Sequence, residues 1–346
     1  MTVLVKPQVK DPWRRNRKIR DAIGHALHYA MAADPAVHLF GEGCEVKVHY
    51  DHPDIERDFL DHCHTMPIAE DGSVNFCVGA ALMGIKPVVD IISSDFLYRA
   101  MDSIVNTAAK ANFARPDQPI TLVIRAEFLT GGPTSGQRNE ALFTHIPGLN
   151  VVVPSTPRDA YGLVLTALQT PGVTLFFEDR EIEDDGYFMS EDLEVGATVP
   201  LGKGLVRDMG PRGGVAVLTY GVMRQRVEEA VREAQYQFYT SAHDRFDPDS
   251  VDCSVIDLRT LFPLDWDLIR KAVDRTGALL IVEPDVEYGG IGAEIAAWAG
   301  MNRIPVRMLG AAREVIPANG FNKALWMPSK EEIIEAIRDI RNQRYT

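Results

Sequence analysis

Short apolar runs recur along this chain, separated by segments whose apolar residues repeat with a helical period. The runs fall at 37–40, 87–92, 120–124, 149–153 and 173–177. Helical spacing fills 17–34, 74–84, 97–114 and 158–169. Alternation of this kind constrains the fold more than any other feature. It predicts an α/β architecture, with a mostly parallel sheet covered by helices on both faces. The rhythm breaks over 183–213, where acidic residues and Gly210-Pro211-Arg212-Gly213-Gly214 cluster. It then resumes with strand patterns at 215–220, 254–257, 278–282 and 306–308, and helices at 222–238, 265–275 and 291–299. A last helix should start after Ser329, which has Glu332 three residues on as a capping box. The expected organisation is a first domain over 1–195, a linker over 196–213 and a smaller α/β domain over 214–346.

Charge excludes some classes of function. The formal net charge is −13, whereas a nucleic-acid partner calls for a basic surface. The basic run from Arg14 to Arg20 merges into the apolar pattern Ile19, Ile23, Leu27, and reads as the start of a helix rather than a transit peptide. No apolar stretch reaches the roughly 20 residues that span a bilayer, so no membrane partner is expected. Cys44, Cys63, Cys77 and Cys253 form no paired motif. A reducing cytoplasm is the expected compartment.

Longer motifs narrow the reading. The chain carries Pro67-Ile68-Ala69-Glu70-Asp71-Gly72, then VGAALMGIKPVVD (78–90), then DSIVNTAAK (102–110) and EALFTHIPGLNVVVPSTPRDAYGL (140–163). Together these resemble the β subunit of the E1 component of 2-oxo acid dehydrogenases. VLTYGVM (217–223), VIDLRTLFPLD (255–265) and GGIGAEIAA (289–297) resemble the transketolase-type C-terminal domain of the same subunits. The resemblance runs from about residue 17 to 340, in family order. It implies two parallel-sheet α/β domains, the pyrimidine-binding fold of thiamine diphosphate enzymes followed by a transketolase C-terminal-like domain.

The resemblance also implies a site. Glu70 falls where the family's glutamate meets N1′ of the aminopyrimidine ring. A carboxyl sharing a proton there favours the imino tautomer that serves as the cofactor's internal base. Met66, Ile68, Val74 and Phe76 are expected to give it apolar surroundings. Phe96 falls where an aromatic stacks on that ring and Ile92 where an apolar side chain lines it, with a core placement of both as the alternative. Glu42 falls near the thiazolium, or is a loop carboxylate. The chain lacks a Gly-Asp-Gly motif with a following Asn. No metal site is therefore expected in it. Mg²⁺ and the diphosphate are assigned to an α-type partner in an α2β2 assembly, with a 2-oxo acid as substrate and a lipoyl acyltransferase as a possible further partner.

Departures from the family pattern carry their own expectations. By the resemblance, Ser135 stands where these subunits place a histidine linked to lipoyl acylation. A hydroxyl cannot replace imidazole as acid or base near neutral pH. A carboligase, a decarboxylase passing its acyl unit to a small acceptor, and a non-catalytic assembly subunit therefore stay open beside the dehydrogenase. The cluster His49, His52, His62, His64 holds ligand types that suit zinc, without a common zinc spacing. His64, six residues before Glu70, is the acid–base candidate of that cluster. Arg125 and Arg138 could each grip a substrate carboxylate, with a surface placement as the alternative for Arg138.

Overall fold

The alternation read from the sequence folds into two units, the first running to Leu201 and the second from Gly202. The computed structural model describes residues 18–43, 54–129, 136–179, 182, 195–209, 214–241, 253–315 and 326–343. The short segment Arg138–Leu142 groups with the second unit, although it precedes the last strands of the first in the chain.

In the first unit the elements follow in the order α1 (Ile19–Ala33), β1 (Val37–Gly41), α2 (Asp54–Phe59), β2 (Cys63–Thr65), α3 (Glu70–Leu82) and β3 (Lys86–Ser93). Then come α4 (Ala109–Ala114), β4 (Thr121–Glu127), α5 (Glu140–Thr144, of which only Phe143 and Thr144 group with this unit), β5 (Leu149–Val152), α6 (Pro157–Gln169) and β6 (Gly172–Glu178). The strands lie in the order β5-β6-β4-β3-β1-β2, every neighbouring pair parallel. Central β4 is buried along its whole length, which is why it reads as an unbroken apolar run rather than an alternation.

Helix α1 turns Ile19, Ile23, Ala26, Leu27 and Met31 inward and packs against α6. Each fully buried Ile or Leu there contributes roughly 1.5–3 kcal/mol. Helix α6 begins where Thr156 Oγ1 accepts the Asp159 N–H at 3.0 Å, with Pro157 in its first turn. Between β5 and the helix before it, Gly148 holds φ +94°. A Cβ there would lie 2.0 Å from the Ala109 carbonyl oxygen, so only glycine fits.

The second unit contains β7 (Leu205–Met209), β8 (Val215–Thr219), α7 (Met223–Ser241), β9 (Cys253–Asp257), β10 (Thr260–Phe262) and α8 (Trp266–Thr276). It continues with β11 (Leu279–Val286), α9 (Ile291–Met301), β12 (Val306–Ala311) and α10 (Lys330–Gln343). Its sheet runs β12-β11-β8-β9-β7. The pairs are parallel except β7 with β9, which is antiparallel. Strand β7 thus lies within the stretch expected as a linker, as an edge strand. Helix α10 starts on the capping box read from the sequence: Glu332 N–H donates to Ser329 Oγ at 3.2 Å, and Ser329 N–H to Glu332 Oε2 at 2.8 Å.

Candidate active site

The carboxyl ends of β1, β2 and β3 lie side by side, with Gly41 in register with Thr65 and with Asp90. Open parallel sheets bind ligands at that edge, where strands end and helices begin. Glu42 follows β1, Glu70 opens the helix after β2, and Ile92 is the last residue but one of β3. The topology therefore brings three of the residues singled out in the sequence to one edge.

Glu70 is only 7% exposed. No side chain caps α3, and Glu70 and Asp71 occupy its first turn, where the helix dipole favours negative charge. Arg99 Nε stands 3.3 Å from Glu70 Oε2, and its own side chain is 74% exposed. Nothing in the sequence marks Arg99. It sits in a 3₁₀ segment, Ser94–Ala100, which overlaps the start of the stretch expected as a single helix, 97–114. That stretch divides into this segment, a π-helical turn Ser103–Ala108 and α4. Turns of the π type gather at functional sites. Of the apolar flanks of Glu70, Val74 is buried, whereas Ile68 is 82% and Phe76 56% exposed. The apolar surround expected from this chain is only partly built.

Glu42 is half-buried. Burial, and then the charges of Glu70 and Asp90, hold its carboxyl above the ordinary carboxylate range. The three acidic groups thus share one neighbourhood, where the like charges favour a proton on Glu42. Ile92 and Phe96 are both half-buried rather than core residues. Ile92 has φ 60°, a conformation that costs on the order of 1–3 kcal/mol for a residue with a branched Cβ. Its N–H donates to Asp90 Oδ1 at 2.8 Å.

His64 lies in β2 opposite Phe40. Its Nε2 is 2.9 Å from His38 Nδ1, so one ring donates and the other accepts. His62 stacks on His38, ring centroids 4.3 Å apart, and its Nδ1 donates to the Val37 carbonyl at 3.0 Å. Phe40 stacks on His64 at 4.6 Å. The sequence cluster therefore takes in His38, brought from 26 residues away by the pairing of β1 with β2; His49 and His52 lie outside the described residues. Burial, then the charges of His62 and His64, hold His38 below the ordinary histidine value of 6.5. A group depressed on folding stabilises the fold fully above its unfolded value and loses that contribution as pH falls through the folded one. The thermal midpoint should therefore fall more steeply in the wild type than in His38→Gln as pH drops from 7.5 to 5.5. Parallel curves in a fluorescence melt would show that the stack does not sense pH.

The two arginines are engaged elsewhere. Arg125 is 2% exposed, with Nε and Nη2 on Glu178 at 2.7 and 3.0 Å. Its fork is filled by a protein carboxylate, which corrects its reading as a substrate grip. Arg138 is buried rather than at the surface, and Nε donates to Glu140 Oε1 at 2.9 Å. Arg138 and Glu140 belong to the second unit, near Tyr220, Glu283 and Asp285. Burial and the Glu140 charge push Asp285 up to about 7. Glu283 lies against Gly290 and Gly292, where any Cβ would strike its carboxylate, and accepts the Gly292 N–H at 3.1 Å. Ser135 lies outside the described residues.

Comparison with known proteins bears on the family and the fold. The family "Transketolase, pyrimidine binding domain" matches residues 15–182, and "Transketolase, C-terminal domain" matches 202–333. The 2-oxoisovalerate dehydrogenase subunit beta 2, mitochondrial, of Arabidopsis thaliana is 30% identical, over 95% of this chain and 90% of its own length. The pyruvate dehydrogenase E1 component subunit beta of Bacillus subtilis is also 30% identical, over 92% of this chain and 97% of its own length. Among solved structures, a split gene transketolase, an inactive beta4 tetramer, superposes with a TM-score of 0.77 at 19% identity, covering 94% of this chain and 98% of its own. That likeness concerns the fold. With matches of this length across both domains, the chain belongs to the family of 2-oxo acid dehydrogenase E1 β subunits, built from a transketolase pyrimidine-binding domain and a transketolase C-terminal domain.

Proposed function

We propose that this chain holds the pyrimidine half of a thiamine diphosphate site and works on a 2-oxo acid together with an α-type subunit, as an α2β2 enzyme. The carrying observation is Glu70, a buried carboxylate at the carboxyl edge of the sheet, opening α3. The residues around it fit an aminopyrimidine ring: a carboxylate for the ring nitrogen, the half-buried aromatic Phe96, and Ile92 on a fixed backbone. Bound there, thiamine diphosphate supplies the nucleophilic carbon and electron sink for decarboxylation. Glu70 holds the proton at N1′, Ile92 and Phe96 orient the ring, and Glu42 faces the adjoining part of the site. His64, positioned by His38, is the acid–base candidate where Ser135 offers none.

The outer face of α3 supports a partner. Gly72, Phe76 and Gly79 are exposed along it, and Met83 just beyond its end is 85% exposed. Cβ atoms added at Gly72 and Gly79 would meet little or nothing, so another helix can approach closely. Mg²⁺ and the diphosphate are assigned to that partner. The acyl unit passes to a lipoyl domain or to a small acceptor. Among the described residues no helix is long and apolar enough to cross a membrane. Cys63, Cys77 and Cys253 are buried and form no disulfide among the described residues, which suits a reducing compartment such as the cytoplasm.

Co-expression with the α-type subunit from the same locus tests this reading. The expected outcome is a stable complex that binds thiamine diphosphate by calorimetry and releases CO2 from a 2-oxo acid, while neither subunit does so alone. A complex that forms yet binds no thiamine diphosphate overturns it.

A further inference from the structure

Strand β3 breaks register at its end. It pairs with β4 through Val88↔Val123, Val89↔Ile124 and Asp90↔Arg125, and the next pair is Ser93↔Glu127. One residue more is spent on β3 than on β4, which defines a bulge. The bulge contains Ile92 at φ 60°. A branched side chain keeps such a backbone only where its surroundings over-determine it.

The surroundings are explicit. The Ile92 N–H donates to Asp90 Oδ1 at 2.8 Å. Asp90 Oδ2 lies 3.5 Å from Arg125 Nη1. Arg125 is in turn gripped by both oxygens of Glu178, on the next strand. All three side chains are at most 7% exposed. A buried acid–base–acid chain across β3, β4 and β6 thus ends on the amide of Ile92.

The second unit repeats the device. Arg259 has φ 57°, its N–H donates to Asp257 Oδ1 at 3.2 Å, and Asp257 Oδ2 accepts from Arg207 Nη2 at 3.2 Å. There too a strand-end aspartate receives the amide two residues on and is anchored by an arginine of the neighbouring strand. Arg259 then spends its guanidinium on the carbonyls of Lys203 and Gly204, which secures its own fold. In the first unit the left-handed residue is a half-buried isoleucine at the ligand edge of the sheet.

We infer that Asp90 is a positioning residue: through the Ile92 amide it holds the bulge that sets the Ile92 side chain against the cofactor ring, with Arg125 and Glu178 fixing Asp90 in turn. This rests on the proposed function for the ring, but the clamp itself can be read without any cofactor. Asp90→Ala removes the acceptor. Asp90→Asn keeps a carbonyl oxygen for the Ile92 N–H. Ile92→Gly adopts φ 60° without help.

The first measurement is a double-mutant cycle of urea unfolding with Asp90→Ala and Ile92→Gly. The combined loss should fall clearly short of the sum of the single losses, because glycine no longer needs the clamp. Additive losses overturn the clamp, whatever the cofactor does. The second measurement is thiamine diphosphate binding to the complex with the α-type subunit. Asp90→Ala should raise the apparent Kd at least tenfold, with turnover at saturating cofactor falling by a smaller factor, and Asp90→Asn should restore the Kd to within about threefold of wild type. A Kd unchanged in Asp90→Ala, or raised equally in Asp90→Asn, overturns the positioning role. Wild-type complex that binds no thiamine diphosphate sinks the functional reading and leaves the cycle to judge the clamp. Where Asp90→Ala fails to fold, its pairing with Ile92→Gly should recover soluble protein, and failure to do so counts against the clamp.

Discussion

Glu70→Gln is expected to lower turnover of the assembled enzyme by about a hundredfold or more, the scale on which positioned proton-transfer groups act. The substitution keeps the shape of the side chain and its place in the first turn of α3, so folding and assembly should survive. What it removes is the ability to share a proton with a ring nitrogen. In this structure Glu70 is buried and Arg99 approaches it from the exposed side. The amide also loses that ion pair, but Arg99 is largely in solvent, where such pairs contribute little. The chemical loss should therefore far outweigh the structural one. The measurement is steady-state turnover of a 2-oxo acid with the α-type subunit and saturating thiamine diphosphate, beside a thermal melt of the same complex. Activity near wild type in a variant that melts normally would falsify the assignment of Glu70.

Arg125→Met should destabilise the first unit by about 3–5 kcal/mol, the usual loss when one member of a buried ion pair is removed. Arg125 faces Glu178 and Asp90, all three buried. Without the guanidinium both carboxylates keep the cost of burial and lose its compensation. Burial already pushes the Glu178 carboxyl upward, against the pull of Arg125. The orphaned acids should take up protons, so the variant should recover part of its stability on mild acidification. Against a total stability of about 5–15 kcal/mol for a typical domain, the loss is enough to reduce soluble yield. Urea unfolding of the purified chain measures it. Arg125→Met combined with Glu178→Gln should be more stable than Arg125→Met alone, because one buried charge is gone. If the single variant unfolds with wild-type stability, the cluster does not hold the strand ends together.

The sequence by itself determined the elements. Apolar period marks β1, β3, β4, α1 and α6, because burial along one element leaves a pattern in that element alone. It also determined the helix start at Ser329 and Glu332, a contact made within three residues. The family motif singled out Glu70, and the structure has that residue buried in the first turn of a helix. What only the tertiary structure decided are the relations across strands. Strand β2 is three residues long, too short to show alternation. Strand β7 is an edge strand, recognisable only by its pairing with β9. From sequence either Arg125 or Arg138 could grip a substrate carboxylate, with a surface placement as the alternative for Arg138; register places Glu178 beside the first and the local chain turns Glu140 onto the second. His38 joined His64 because β1 and β2 lie in parallel, and the strain at Ile92 arises from a slip between β3 and β4. Register and burial across a sheet are set by many residues at once, so no single stretch of chain carries them.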